Sequence, residues 1–184
     1  MDNLCGIDEA GRGPLAGDLV MAGCILREPI DGLNDSKKLS EKKRELLYDA
    51  IVNSHAEYYI VKFTAAQIDE KGISQCLATG LREIQQNLTA TTYLFDGNST
   101  FGVENIETLI KADGKIPQVS AASILAKVTH DRDILELAKQ YPEYQLEKHK
   151  GYGTKLHVDM IKKYGYSPIH RKSYKIKALE PTLF

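Results

Sequence analysis

Apolar residues recur along the chain either in short continuous runs or at helical spacing, and the two patterns alternate. Runs rich in β-branched, aliphatic and aromatic residues predict strands at 4–7, 19–26, 57–64, 91–97 and 108–112. Apolar positions three and four residues apart predict helices at 41–53, 65–70, 73–87, 120–141 and 156–164. This alternation is typical of an α/β protein.

Polar and glycine residues mark where several of these elements begin and end. Ser40 suits the N-cap position of the helix that follows it, and Gly72 separates the two helices on either side of it. The helix at 120–141 has no internal Pro or Gly, so we expect it to be continuous.

The length and composition fit one folded unit. The chain has 184 residues, of which 42% are hydrophobic, and this is enough to bury a substantial core. We divide it into an α/β body, residues 1–141, and a basic helical extension, residues 142–184, packed on the body as part of a single globular unit.

Targeting signals and the cysteine pattern indicate the cellular compartment of the protein and the state of its thiols. No run of eighteen apolar residues is present, and the first residues lack the basic and apolar regions of a secretory signal. We therefore expect a cytoplasmic protein without a membrane partner. The three cysteines include no C-x-x-C pair, which argues against a disulfide framework or a zinc site, and we interpret Cys5, Cys24 and Cys76 as reduced packing residues.

The net charge of −1 is distributed unevenly along the chain. Residues 142–178 contain nine Lys or Arg and three acids, which gives this segment +6 and leaves −7 on the remainder. Tyrosines and histidines are interleaved with these cations. Such a composition suits a surface that contacts phosphates and stacks on sugars or bases, although a basic run is more often only a solvated face.

Acidic residues stand at the ends of three predicted strands. Asp8 and Glu9 follow the first strand, Asp96 ends the fourth, and Asp113 follows the fifth. The ends of neighbouring strands in α/β sheets gather ligand groups, so we expect the four carboxylates to form one cluster. Carboxylates without accompanying Cys or His ligands favour Mg²⁺ or Mn²⁺ over zinc.

The adjacency of Asp8 and Glu9 has two interpretations. Neighbouring carboxylates at the end of a buried strand repel and are costly to desolvate, which a divalent cation would relieve. Taken alone, the pair is equally consistent with solvated acids on a loop. Strand pleating also directs successive side chains to opposite faces, so both reach one site only if the glycine-punctuated turn at 11–14 breaks the pleat. Otherwise one of the two has a different role.

Several blocks of sequence resemble the bacterial ribonuclease HII family, the type 2 ribonucleases H. The first and longest block is GIDEAGRGPLAG at 6–17. The others follow in family order across nearly the whole chain: DSKKL at 35–39, FDG at 95–97, KAD at 111–113 with VSAASILAKV at 119–128, HKGYGT at 149–154 and HRKSY at 170–174.

The resemblance implies a ribonuclease H-like fold, with a central mixed β-sheet flanked by helices and a small helical C-terminal extension. The implied reaction is hydrolysis of RNA in RNA/DNA hybrids, and also cleavage at a single ribonucleotide embedded in duplex DNA, leaving 5′-phosphate and 3′-hydroxyl ends. Residues 1–141 become the catalytic domain. The matching motifs of the family imply that Asp8, Glu9, Asp96 and Asp113 are the catalytic and metal-binding residues. Two Mg²⁺ or Mn²⁺ ions are expected when substrate is bound.

The resemblance also implies a set of substrate contacts. Gly11, Arg12 and Gly13 would read the RNA-to-DNA junction together with Tyr152, because backbone beside glycine approaches a ligand closely and the 2′-hydroxyl distinguishes ribose from deoxyribose. On the residues alone, the glycines fit an ordinary tight turn and the tyrosine a packing role. The remaining expected contacts to the nucleic acid are Lys37, Ser123, Lys127, Lys150 and Arg171.

One position departs from the family pattern. Family members often carry Arg where this chain has His130. A neutral imidazole would weaken an ion pair or a phosphate contact there, so we exclude His130 from the site.

Alternative functions belong to other classes. Other nucleases of this fold share the carboxylate cluster, among them transposases, integrases and Holliday-junction nucleases. They lack the two motifs Gly-Arg-Gly and Lys-Gly-Tyr-Gly-Thr that this chain has. A catalytically silent hybrid-binding protein conflicts with the retention of all four acids. Ribonuclease HIII would carry an extra N-terminal domain and a glutamate in place of Asp113. We expect a monomer that acts on RNA/DNA hybrids and on DNA containing ribonucleotides.

Overall fold

The structure, a computed structural model, describes residues 3–176 and 179. Within these residues five strands form one mixed sheet: β1 Leu4–Ala10, β2 Leu19–Ile25, β3 Glu57–Phe63, β4 Thr92–Asp96 and β5 Glu107–Leu109. Their order in the sheet is β3-β2-β1-β4-β5. β1 pairs antiparallel with β2 and parallel with β4, and the outer pairs are β2 with β3, antiparallel, and β4 with β5, parallel. The predicted α/β class with a central mixed sheet is confirmed.

Helices cover both faces of this sheet. Two short helical turns, Ser36–Lys38 and Ala112–Gly114, border the carboxyl ends of β1 and β4, and a third, Pro142–Tyr144, follows the longest helix. The α-helices are α1 Glu41–Val52, α2 Ala65–Lys71, α3 Ile73–Asn87, α4 Pro117–Gln140, α5 Leu146–His149 and α6 Lys155–Tyr164.

Side-chain hydrogen bonds fix the starts of several helices. The Ser40 hydroxyl accepts the Lys43 N–H at 3.3 Å, which confirms the predicted N-cap of α1. At the start of α2, Thr64 and Gln67 bond reciprocally through side chain and backbone in a capping box. These contacts satisfy N–H groups that have no partner inside the helix.

Alternation along the central strands divides the core into two layers. Cys5 and Ile7 of β1 pack in the layer that contains α3, whereas Ala10 packs on the opposite side with α4 and α1. Gly6 lies on that second side against the first turn of α4, where an added Cβ would be 2.3 Å from backbone atoms of Gln118 and Val119. The missing side chain therefore sets how closely α4 approaches β1.

The C-terminal region packs on the far end of α4. Ile134 of α4 shares a buried cluster with Tyr144, Leu146, Ile161 and Ile169. These contacts are the expected ones for an extension packed on the body, and the boundary at 141/142 stays a prediction. Residues 177–178 and 180–184 of the extension lie outside the described residues.

Three element boundaries differ from the prediction by three residues each, and the others differ by at most one. β1 runs to Ala10, so Asp8 and Glu9 lie within the strand rather than beyond it. β5 ends at Leu109 instead of continuing to 112, because Lys111 has a left-handed conformation with φ 59°, which a strand cannot accommodate. α4 begins at Pro117 rather than 120, since proline suits the first turn of a helix.

The prediction for the cysteines is confirmed. Cys5, Cys24 and Cys76 are free and buried. Among the described residues, no helix is both long and apolar enough to cross a membrane.

The close approach at Gly6 yields a stability prediction. Gly6→Ala should lower the free energy of unfolding by about 3 kcal/mol, since the new methyl group meets backbone rather than a flexible side chain. The melting temperature should fall by roughly 10 °C. Gly114→Ala is the matched control, because the atom nearest to its added Cβ would be 3.8 Å away. Equal melting temperatures for the two variants would contradict this account of the β1–α4 contact.

Candidate active site

The parallel pairing of β1 with β4 places Asp8 beside Asp96. The last paired residues are Ile7 and Phe95, and each aspartate is the next residue of its strand. Because the two strands are in register, both side chains leave the same face of the sheet, the face covered by α4. Strand pairing alone therefore makes neighbours of two carboxylates that are remote in sequence.

Asp113 joins this pair through the helical turn that follows β5. The N–H groups of Lys111 and Asp113 donate to the two carboxylate oxygens of Asp96, at 2.9 and 3.3 Å. The Ser120 hydroxyl donates to the Asp113 carbonyl and holds the turn against α4. One oxygen from each of Asp8, Asp96 and Asp113 lies within 4.8 Å of the other two. We call these residues the carboxylate triad; no other such group of possible metal ligands occurs in the described part of the chain.

The electrostatics of the carboxylate triad favour a cation. Burial raises the pKa of Asp8 well above its usual range, and the charges of Glu9 and Asp96 add to this rise. Burial and the charge of Asp96 raise the pKa of Asp113 to about 6. Each shift means that the folded protein holds an ionised carboxylate at a cost. Three converging hard oxygen donors fit Mg²⁺ or Mn²⁺, which would remove that cost.

Glu9 borders the carboxylate triad from the other face of β1. The strand keeps its pleat here, so of the two alternatives that the sequence left open, the structure agrees with the one in which Asp8 and Glu9 leave opposite faces of β1. One carboxylate oxygen of Glu9 accepts from Arg12 at 3.4 Å, and the other is buried without a hydrogen-bond partner. Burial raises the pKa of Glu9, and the Arg12 charge offsets this in part. Glu9 is thus outside the carboxylate triad but lines the same cleft.

The cleft around these acids has two openings that share part of their lining. Asp8 and Glu9 line both of them. The first, about 540 Å³, also contains Asp96, Asp113, Asp35, Lys37, Lys38, Ile110, Lys111, Gly114 and Lys115. The second, about 320 Å³, contains most of the predicted substrate contacts: Gly11, Arg12, Gly13, Lys37, Ser123, Lys127 and Tyr152. The sequence argument missed Lys111, Lys115 and Ile110, although Lys111 stands in the same block as Asp113.

The predicted phosphate contacts differ in their availability. Lys37 is exposed, and its charge opposes part of the rise that burial causes in the pKa values of Glu9 and Asp113. Lys127 is held by Asp131 at 2.8 Å, one helical turn further along α4. The Ser123 hydroxyl lies 2.8 Å from that of Ser36 and also interacts with the Asp8 carboxyl.

The segment Gly11-Arg12-Gly13, called the glycine turn below, is set by backbone requirements. Gly11 has φ +85°, and an added Cβ would lie 2.4 Å from the Asp18 carbonyl oxygen and 2.5 Å from the His130 ring. His130, excluded from the predicted site, is therefore a buried support beneath this turn. At Gly13, an added Cβ would lie 3.7 Å from the Tyr152 ring, so the ring of Tyr152 borders the turn directly.

Two predicted contacts lie elsewhere. Arg171 is 1% exposed, and its guanidinium donates to the carbonyl oxygens of Gly17, at 2.8 and 3.0 Å, and of Arg12, at 3.2 Å. The expected direct contact with nucleic acid is corrected: Arg171 supports the glycine turn from inside the protein. Lys150 is half-buried and does not line either opening.

A mixed sheet with aspartates converging at the carboxyl ends of β1 and β4 defines the class of metal-dependent nucleases with a ribonuclease H-like fold. Comparison with known proteins narrows the class. The family model for ribonuclease HII matches residues 5–177. A ribonuclease HII from Sulfurovum sp. is 63% identical over 182 residues, covering 98% of this chain and 96% of that protein. One from Campylobacter jejuni is 54% identical over 175 residues, covering 95% and 91%.

A solved structure agrees with these sequence matches. The ribonuclease HII in the PCNA complex from Archaeoglobus fulgidus superposes with a TM-score of 0.81 at 28% identity, covering 94% of this chain and 95% of that chain. The chain belongs to the ribonuclease HII family, whose members are metal-dependent endoribonucleases. The predicted resemblance is confirmed.

Removing one charge from the carboxylate triad should separate stability from metal binding. In chelator, Asp8→Asn should raise the melting temperature by a few degrees at pH 7, because a carboxyl whose pKa is raised by folding destabilises the folded state when ionised. Added Mg²⁺ should stabilise the wild type by mass action and the variant much less.

The comparison uses thermal unfolding with and without Mg²⁺. Glu70→Gln is the control, since it removes an exposed acid of α2 and should leave the response to Mg²⁺ intact. Equal Mg²⁺-induced shifts for the wild type and Asp8→Asn would contradict a metal site at the carboxylate triad.

Proposed function

We propose that this protein hydrolyses the RNA strand of RNA/DNA hybrids and cuts at single ribonucleotides embedded in duplex DNA. One observation carries the proposal: the cleft that contains Asp8 and Glu9 is also lined by the glycine turn and Tyr152. Groups suited to phosphodiester hydrolysis and groups suited to reading a sugar thus face the same space. The expected products have 5′-phosphate and 3′-hydroxyl ends.

The acids are proposed to hold the metal. Asp8, Asp96 and Asp113 would be the ligands, with Glu9 completing the site from the other face of β1. We propose Mg²⁺ or Mn²⁺, with two ions when substrate is bound, because such pairs serve in-line displacement at phosphate. Bound there, the ions supply charge neutralisation at the scissile phosphate and acidify water.

The basic groups of the cleft are proposed to position the backbone of the duplex. Lys37 is exposed beside the acids, and Arg12 reaches from the glycine turn to Glu9 at 3.4 Å. Ser123 and Lys127 lie on the α4 wall. Contacts of this kind fix register without reading bases, so cleavage should not depend on base sequence.

Recognition of ribose is assigned to the glycine turn and Tyr152. Backbone groups beside Gly11 and Gly13 are free of side chains and can approach the 2′-hydroxyl, the group that distinguishes RNA from DNA. Tyr152 is 44% exposed and its ring borders Gly13, which supports assigning it to stack on the next sugar. Because one chain carries the acids, the turn and the tyrosine, we propose that a monomer is sufficient for activity.

A duplex DNA with one embedded ribonucleotide tests the proposed function. With Mg²⁺ or Mn²⁺ the protein should cut this duplex at the ribonucleotide, and chelator should abolish cleavage. The all-DNA duplex of the same sequence and the Asp8→Asn protein are the controls. Binding without cleavage would indicate a silent binding protein, and equal cleavage of both duplexes would indicate another nuclease of this fold.

Tyr152 should matter more for cleavage than for binding. Tyr152→Ala should slow single-turnover cleavage at a lone ribonucleotide by on the order of 10-fold, since aromatic stacking contributes ~1–3 kcal/mol. Duplex affinity should change less, because phosphate contacts supply most of it. Tyr164→Ala removes a comparably exposed tyrosine from α6, 48% exposed, and should leave the rate unchanged. Equal losses of rate and affinity in Tyr152→Ala would refute the junction role.

A further inference from the structure

A buried pair of histidines lies behind Tyr152, in a part of the molecule to which the proposed chemistry assigns no role. His157 and His170 are 0% and 2% exposed, and their Nε2 atoms are 3.1 Å apart. His157 lies in the first turn of α6, and His170 lies in the segment that follows α6. Neither ring lines the cleft that holds the acids.

The hydrogen bonds of this pair have a defined direction. The backbone N–H of Ser167 donates to His170 Nδ1 at 3.0 Å, which leaves the His170 proton on Nε2. His170 Nε2–H then donates to His157 Nε2, and His157 Nδ1–H donates to the carbonyl oxygen of Tyr152 at 3.0 Å. A continuous chain of donors thus runs from the C-terminal segment to the backbone of Tyr152.

Burial keeps both rings in the neutral form that this chain of donors requires. It lowers the pKa of His157 to about 4, with the charge of His149 adding to the effect, and it lowers the pKa of His170 to about 4. If either ring gained a second proton, two hydrogen-bond donors would face each other with no acceptor between them.

The histidine pair closes a ring of contacts around the base of the glycine turn. On one side, Leu15 N–H donates to the Gly151 carbonyl at 2.8 Å, next to Tyr152. On the other side, Gly17 N–H donates to the Ile169 carbonyl at 2.9 Å, next to His170. The two outer segments, 151–157 and 167–171, meet each other through the bond between His157 and His170.

We infer that the His157–His170 pair is a positioning device for ribose recognition, which fixes the backbone of Tyr152 so that its ring stays against Gly13. This inference rests on the proposed function of Tyr152. His157 and His170 are buried and line neither opening, so they act through the Tyr152 carbonyl. Loss of the His157 donor should therefore affect the reading of a lone ribonucleotide more than hydrolysis of a continuous RNA strand, where every residue offers a 2′-hydroxyl.

Two isosteric substitutions at His157 test the inference. The amide nitrogen of Asn occupies the place of Nδ1 and keeps a donor toward the Tyr152 carbonyl, whereas Gln extends to the place of Nε2 and loses that donor. His157→Gln should lower kcat/KM at a lone ribonucleotide by roughly 10-fold through kcat, as expected for a misplaced recognition group, with a smaller loss on a continuous hybrid. His157→Asn should recover most of this loss.

A double-mutant cycle decides between positioning and a general role in stability. In the Tyr152→Ala background, His157→Gln should have no further effect on the lone-ribonucleotide rate, because the group it positions is gone. Additive losses, or equal losses on both substrates, would overturn the inference while leaving the proposed function intact. Failure of the wild type to cut the lone ribonucleotide would instead overturn the proposed function.

A measurement on the wild type is independent of activity and of how the variants fold. Long-range proton–nitrogen spectra of the imidazole rings at pH 7 should show His157 protonated on Nδ1 and His170 on Nε2. The opposite tautomer on either ring would mean that the donor chain to Tyr152 does not exist, and the inference would fail.

Discussion

The parallel register between β1 and β4 is the constraint on which the site depends. By pairing Ile7 with Phe95, it puts Asp8 and Asp96 side by side on the face that α4 covers. Like charges at this distance oppose folding, so the arrangement needs support from uncharged groups. That support comes from backbone: the N–H groups of Lys111 and Asp113 bind Asp96, and Gly6 lets the first turn of α4 close over the strand.

The same closeness explains why the site is a compromise between stability and function. Groups that would be stable alone, such as neutral residues on a buried strand, would not attract a divalent ion. Burial and mutual repulsion instead raise the pKa values of Asp8 and Asp113, and the free energy stored in this way is released when a cation binds. Packing of the surrounding sheet and helices must offset the loss in free energy of unfolding that the buried acids cause.

The sequence predicted the parts of this site that depend on local pattern. Strands, helices and strand-end acids followed from hydrophobic spacing, and Ser40 was recognisable as a cap. The features that the sequence could not indicate depend on contacts between distant segments. The left-handed backbone at Lys111 shortens β5 and turns Asp113 toward Asp96, a conformation that no residue-type preference favours for lysine. Arg171 was predicted to contact substrate because it stands in a block that resembles the family, yet burial against two carbonyl groups makes it a structural residue. The sequence also could not decide how Glu9 relates to Asp8: the two side chains leave opposite faces of β1 and still line the same cleft.

Arg171 also ties together regions at opposite ends of the chain, since its partner Gly17 lies 154 positions earlier. During synthesis the segment with Asp8 and Glu9 therefore leaves the ribosome long before Arg171, the residue that braces the glycine turn. The surface proposed to read ribose thus becomes ordered only after the segment around Arg171 has been made. Before that point the chain carries acids proposed to bind an ion but lacks the braced turn proposed to select a sugar.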